Sequence, residues 1–248
     1  MKTGIQVSSF RPVLQTPEQV QTAFEKMVGM GCRWVQLQWI NPAVPVEWIA
    51  RCLRQSGCIS VGLQDRYDDI LKQPEYYIDL NRVTGAEWFC VGRIPQRLRS
   101  RAGLDEYVKE LRALQQRLEE VGQKLCFHAV TADFAPIDGL DPVEYLLNAM
   151  PELPICADLY HLSHVYADVP GWLRRYAGRV CMVHFKDGRG NRLVPVGQGE
   201  IDYDTLLKVC LQAGVEYGFV EQEQWEGDPF ERLQESFDWL NKRLEEQE

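Results

Sequence analysis

Short apolar runs recur along the chain, separated by longer stretches whose apolar residues fall three and four apart. The short runs read as strands: Ile5–Ser8, Trp34–Trp39, Ser60–Leu63, Trp88–Val91, Leu125–His128, Ile155–Asp158, Val180–Phe185 and Gly218–Glu221. The stretches between them read as helices. In the first, Thr16 stands where a cap belongs, Pro17 suits the opening turn, and Gln19 completes a capping box. Val20, Ala23, Phe24, Met27 and Val28 then mark one face, and Gly29 and Gly31 end the helix. The same start signal returns as Asp141-Pro142-Val143-Glu144 and Asp228-Pro229-Phe230-Glu231. Leu104, Tyr107, Val108, Leu111, Leu118 and Val121 mark another amphipathic helix, closed by Gly122.

Eight strand–helix units at intervals of roughly thirty residues predict an α/β fold, a closed (β/α)8 barrel. An open doubly wound sheet competes with it, but no Gly-x-Gly-x-x-Gly turn follows the first strand. No linker or low-complexity tract interrupts the series, so residues 1–248 are expected to form one domain.

Composition narrows the function. A chain of 248 residues, 45% hydrophobic and 25% charged, suits a soluble globular protein with a full core. Its net charge of -9 argues against a nucleic-acid partner, whose phosphates call for a basic face. The N-terminal stretch has no apolar signal region and no run long enough for a bilayer, so a cytoplasmic, membrane-free protein is expected. Homo-oligomerisation is compatible with everything in the sequence. The eight cysteines include no Cys-x-x-Cys pair. Cys90, Cys126, Cys156 and Cys181 fall inside predicted strands, where a free thiol acts as a small hydrophobe in a reducing compartment.

The chemistry lies at the strand ends. Asp158-Leu159-Tyr160-His161, His184-Phe185-Lys186-Asp187 and Glu221-Gln222-Glu223 each close an apolar run, and a barrel gathers such ends on one face. A carboxylate, an imidazole and a second carboxylate placed this way can converge on one divalent cation. The chain has only four histidines, His128, His161, His164 and His184, and all fall near such ends. Taken singly, a histidine here reads as a satisfied core residue, and Asp158 as the N-cap of the next helix. Asp187-Gly188 reads most simply as a turn. His128 closes the fifth strand with Asp133 shortly after, and either can supply a further ligand.

These motifs resemble the xylose isomerase-like barrels of the sugar-phosphate isomerase/epimerase group. The resemblance spans nearly the whole chain and rests on Ala157-Asp158-Leu159-Tyr160-His161, Val183-His184-Phe185-Lys186-Asp187, the segment Val196 to Asp202, and Val220-Glu221-Gln222-Glu223 followed by Asp228-Pro229. It implies that Asp158, His184 and Glu221 are metal ligands and that His161 and Lys186 lie beside the substrate. Many relatives carry Tyr-His-Asn-His-x-x-Glu-Phe on the fifth strand. Here the stretch runs from Phe127 to Phe134, with Ala129 and Val130 in place of Asn and the second His, and Asp133 in place of Glu. The second strand, which often ends in an acid, reads Val35-Gln36-Leu37-Gln38.

Oxygen and imidazole ligands suit one divalent ion, Mn²⁺ first, with Mg²⁺, Co²⁺ and Zn²⁺ as alternatives. The implied reaction is isomerisation or epimerisation of a small carbohydrate, a ketose or keto-polyol with or without a phosphate, through an enediolate. Glu221 or Glu223 is expected to be the base, with His161 and Lys186 meeting the developing charge. Trp39 and Trp225 offer faces for a sugar ring, although ordinary packing is the plainer reading. Arg189 and Arg192 suit a phosphate or, equally, a solvated loop. A dehydratase using the same site is the first alternative. A barrel that binds a carbohydrate or a partner without turnover is the second, raised by the fifth-strand changes. The DNA-repair endonucleases that share the fold need more metal ligands than four histidines supply.

Overall fold

In the computed structural model, which describes residues 1–247, eight parallel strands close into a barrel. The strands are β1 Lys2–Gln6, β2 Trp34–Leu37, β3 Ile59–Arg66, β4 Trp88–Gly92, β5 Lys124–His128, β6 Ile155–Asp158, β7 Val180–Phe185 and β10 Tyr217–Val220. Each pairs with its neighbours in sequence, and β1 closes the ring against β10. A short antiparallel hairpin, β8 Asp187–Arg189 and β9 Arg192–Val194, stands beyond β7 and was not foreseen from the sequence. No helix among the described residues is long and apolar enough to cross a membrane.

The helices start where the capping residues stand. The Thr16 hydroxyl accepts from the Gln19 N–H, and the helix runs Pro17–Gly29. The reciprocal bond of a capping box is displaced by one residue, since the Gln19 side chain accepts from the Gln15 N–H instead. Asp141 and Asp228 cap Pro142–Ala149 and Pro229–Glu245 in the same manner. Val20, Ala23, Phe24 and Met27 are buried, whereas Val28 is 38% exposed and leaves the face assigned to it. Val121 likewise lies outside its helix, Arg101–Glu120, and is 49% exposed.

Three strand ends depart from the sequence reading by two residues or more, and all bear on the site. β1 stops at Gln6 instead of continuing to Ser8, because Val7–Val13 turns into a 3₁₀ segment. Ser8 and Ser9 are drawn off the ladder to hydrogen-bond Glu221 and the Gln222 N–H. β2 ends at Leu37, and Trp39 takes a positive φ of 56° that a strand cannot hold. β3 continues to Arg66, three residues beyond the apolar run that announced it.

Inside the barrel, side chains two apart along a strand share the inward face. Val61, Cys90, Cys126, Cys156, Met182 and Phe219 form a buried apolar floor, and all eight cysteines are free thiols. Moving up each strand by two residues replaces Cys126 with His128, Cys156 with Asp158, Met182 with His184 and Phe219 with Glu221. The polar layer therefore sits directly on a dry floor.

Candidate metal and active site

β5, β6 and β7 bring His128, Asp158 and His184 together, with one ligand-capable atom from each lying within 4.8 Å of the others. His128 Nε2 lies 3.7 Å and His184 Nδ1 4.0 Å from Asp158 Oδ2. All three atoms are buried without a hydrogen-bond partner. A buried polar atom left unpaired costs about 1–3 kcal/mol. Three pointed at one spot therefore call for a common partner, and the donor set of two imidazoles and a carboxylate fits a divalent cation.

Asp158 serves two purposes. Its Oδ1 accepts from the His161 N–H at 2.9 Å and caps the helix Leu159–Ser163, while Oδ2 is left for the site. Burial would raise this carboxyl, but its neighbours His161, Lys186 and His128 outweigh it and hold it well below the usual range. His184 is oriented from behind. Its Nε2 lies 2.7 Å from Gln36 Oε1, an acceptor, so Nε2 carries a proton and Nδ1 is the ring atom turned to the site. Against burial, Cys156 and Glu221 hold the ring above its ordinary value in the free protein. Glu221 Oε2 lies 3.1 Å from that Nδ1, and Ser8 Oγ donates to its other oxygen at 2.8 Å.

Lys186 Nζ is buried among three carboxylates, 3.6 Å from Asp158, 3.2 Å from Glu221 and 2.9 Å from Glu223. Burial would lower this ammonium, but Glu221 and Asp158 hold it above its ordinary value, so it stays charged. The two glutamates are driven apart. Burial pushes both up; in Glu221 the charges of Lys186 and His184 reverse it to well below normal. In Glu223 the repulsion from Glu221 adds to burial, and its carboxyl is raised. Glu223 faces the site although β10 ends at Val220. Burial lowers His161 to about 4, so its ring is neutral, with Nδ1 2.9 Å from Thr131 Oγ1.

Asp133 is not part of this cluster. Its carboxylate accepts from the Ile94 N–H at 3.0 Å and the Val130 N–H at 2.9 Å, with Arg99 at 3.9 Å. A one-carbon-shorter acid at that position reaches neighbouring backbone instead of the barrel axis. Arg189 donates to the Gln198 carbonyl and Arg192 pairs with Glu226, away from the site. Asp187 organises the loop behind it, accepting from the N–H groups of Gly188, Gly197 and Gly199. His164 is turned back on the Tyr160 carbonyl.

A cavity of about 240 Å³ opens over the cluster, with His128, His161, Lys186, Glu221 and Glu223 on one side. Gln38, Trp39, Gln64, Asp65, Arg66 and Arg93 line the other, and a neighbouring cavity of about 440 Å³ continues past Trp39 and Asp65. Trp225 lines neither. Gln64, Asp65, Arg66 and Arg93 escaped the sequence reading. The strand-end rule that found Asp158 points to them too, once β3 is followed past Leu63 and β4 to Gly92.

Solved structures share this architecture. A sugar phosphate isomerase/epimerase from Parabacteroides distasonis ATCC 8503 aligns at a TM-score of 0.80 and 15% identity, over 98% of each chain. The E. coli 3-keto-D-glucoside 4-epimerase YcjR, in its apo form, aligns at 0.72 and 17%, over 98% of this chain and 99% of that one. The IolI protein with a bound zinc atom aligns at 0.75 and 14%, over 99% of each. Among curated proteins none matches the sequence. The model of one family does match, from Gln64 at the end of β3 to Arg243 in the last helix, and by it the chain belongs to the xylose isomerase-like TIM barrel family.

Proposed function

We propose that the protein is a divalent-metal-dependent isomerase or epimerase of a small carbohydrate, a ketose or keto-polyol. The observation that carries this reading is the set of three orphaned atoms, His128 Nε2, Asp158 Oδ2 and His184 Nδ1, beside a raised carboxyl at Glu223. Fold relatives that are sugar epimerases, and one that holds zinc, support it. His128, Asp158 and His184 would hold the ion, with Glu221 alongside. When bound, the ion supplies Lewis-acid polarisation of a carbonyl and its neighbouring hydroxyl. Mn²⁺ is the first choice.

The chain's own groups divide the remaining work. Glu221, held ionised against His184 and Lys186, is a poor proton acceptor. Glu223 is the base: it takes the proton from the carbon next to the carbonyl and returns it to the adjacent carbon on the same face, whereas inversion at the first carbon needs a proton from a group on the opposite face. Lys186, which donates to Glu223 in the free protein, meets the negative charge that then develops on the substrate oxygens. His161, neutral and fixed by Thr131, offers Nε2 to a substrate hydroxyl.

The test combines metal content with isotope exchange. After Mn²⁺ loading, about one equivalent is expected by elemental analysis, and Asp158→Ala should lose it. A pool of ketoses and keto-inositols in D₂O should show deuterium entering next to the carbonyl. Glu223→Gln should keep the metal while exchange slows by about 10²–10⁴-fold, the usual worth of a general base. Wild-type exchange in Glu223→Gln would remove it as the base. Loss of water from substrate would replace isomerisation with dehydration, and metal content unchanged by Asp158→Ala would remove the site itself.

A further inference from the structure

The mouth of the barrel carries cations that the net charge of -9 does not lead one to expect. Arg66 ends β3 and Arg93 follows β4, and both line the cavity that holds His128, Lys186 and Glu223. Nearby arginines are neutralised: Arg97 lies 2.9 Å from Glu110, and Arg99 lies 3.9 Å from Asp133. Arg66 and Arg93 have no carboxylate within 4.0 Å among the described residues. Arg93 is half-buried; its backbone N–H donates to the His128 carbonyl at 3.1 Å and its carbonyl accepts from the Tyr107 hydroxyl at 3.1 Å, while its guanidinium makes no hydrogen bond among the described residues. Arg66 is exposed and Arg93 half-buried, so both guanidiniums keep water as their only partner and are free to exchange it for an anionic group entering the cavity.

The backbone marks the same place. Only three non-glycine residues among those described have positive φ: Trp39 at 56°, Arg93 at 72° and Asp138 at 50°. Two of the three line this cavity. Arg93 follows Gly92, yet the left-handed conformation falls on the arginine, where a Cβ makes it costly. That turn is what brings its side chain over the cavity. Charge is also divided across the space. Glu221 and Glu223 line the wall after β10 beside Lys186, while the unpaired arginines line the wall of β3 and β4, where the one carboxylate, Asp65, already accepts from the Tyr77 hydroxyl and the Arg66 N–H.

We propose that the substrate is anionic, bearing a carboxylate or phosphate that Arg93 and Arg66 grip while its carbonyl end lies against Asp158 and His184. A planar guanidinium donates two parallel hydrogen bonds to either group, and the acidic wall repels the reverse orientation. This rests on the isomerase reading only for the position of the reacting end.

The test is calorimetric, on the full chain as purified, with inorganic phosphate, erythronate and the uncharged erythritol as probes. At least one anion should bind at a single site, and erythritol should bind at least about tenfold more weakly. Which anion binds tells phosphate from carboxylate. Arg66→Gln and Arg93→Gln should each weaken that binding about tenfold or more, the worth of one charge-assisted hydrogen bond. Arg192→Gln, on the exposed hairpin, should not. Arg93→Gly removes the guanidinium and relaxes the positive φ, so it should fold at least as well as wild type yet lose the anion. No anion bound, or wild-type affinity in Arg93→Gly, overturns the proposal. If the anion binds through Arg93 but no compound exchanges in D₂O, the isomerase reading fails and the anion site stands.

Discussion

Gln36 shows how much a single neutral side chain can decide. It accepts from Gln6 Nε2 at 3.0 Å, faces Gln64 and Met182 with its own amide nitrogen, and presents its oxygen to His184 Nε2. Without that acceptor the imidazole is free to carry its proton on Nδ1, the atom that faces Asp158. Gln36→Leu should therefore weaken divalent-metal affinity about 10–100-fold, the usual worth of a supporting hydrogen bond to a ligand. Gln36→Glu should restore much of it, since the acceptor returns. Competition with a chelating dye measures the affinity, and imidazole ¹⁵N shifts report the tautomer; unchanged affinity in the leucine variant would reduce Gln36 to core filling. The sequence made Asp158, His161, His184, Lys186 and Glu221 legible because each interrupts or closes an apolar run. Gln36 was visible only as an amide where an acid often stands. Its partner is 148 residues away, a separation no local pattern reports.

At the scale of elements, alternation identifies which face of a strand is buried but not where its ladder ends. Ser8 leaves β1 because its hydroxyl donates a hydrogen bond to Glu221, and β3 runs on through Gln64 and Asp65 because the barrel interior is polar at that height. Hairpin β8–β9 was missed because each of its strands has only three residues. The loops are set by similar side-chain bonds. Asp133 ties the segment after β5 to the segment after β4, through the Val130 and Ile94 N–H groups, and so fixes Arg93 next to the site. Asp133→Ala strands two backbone donors, and at about 1–3 kcal/mol each the loss should be roughly 2–6 kcal/mol. For a domain of this size the midpoint should fall by roughly 4–24 °C, while one equivalent of metal is still bound at low temperature. A wild-type melting curve together with lost metal would make Asp133 a ligand after all.

For the whole molecule, the site depends on a barrel that closes tightly beneath it. The floor of thiols, Met182 and Phe219 excludes water from below, so charges in the layer above act on one another through a medium of low polarity. Closure is tight at Gly4 on β1, where a Cβ would lie 2.3 Å from the Trp34 carbonyl oxygen and 2.8 Å from the Phe219 ring. The carbonyl belongs to the neighbouring strand and cannot move without opening the seam between β1 and β2. Gly4→Ala should therefore exceed the roughly 1–3 kcal/mol of ordinary core overpacking. It should also weaken metal binding, because Gln6, two residues further along β1, supports Gln36 and through it His184. Gly29→Ala is the matched control: nothing lies within 4 Å of its Cβ at the end of a helix, and alanine there should be neutral or stabilise by up to about 1 kcal/mol. Urea unfolding gives the stability of both variants, and dye competition gives their metal affinity. If Gly4→Ala unfolded at the wild-type midpoint, the seam would be compliant. If it lost stability but kept full metal affinity, the site would be insulated from the closure below it, and the chain of amides from Gln6 to His184 would carry no mechanical load.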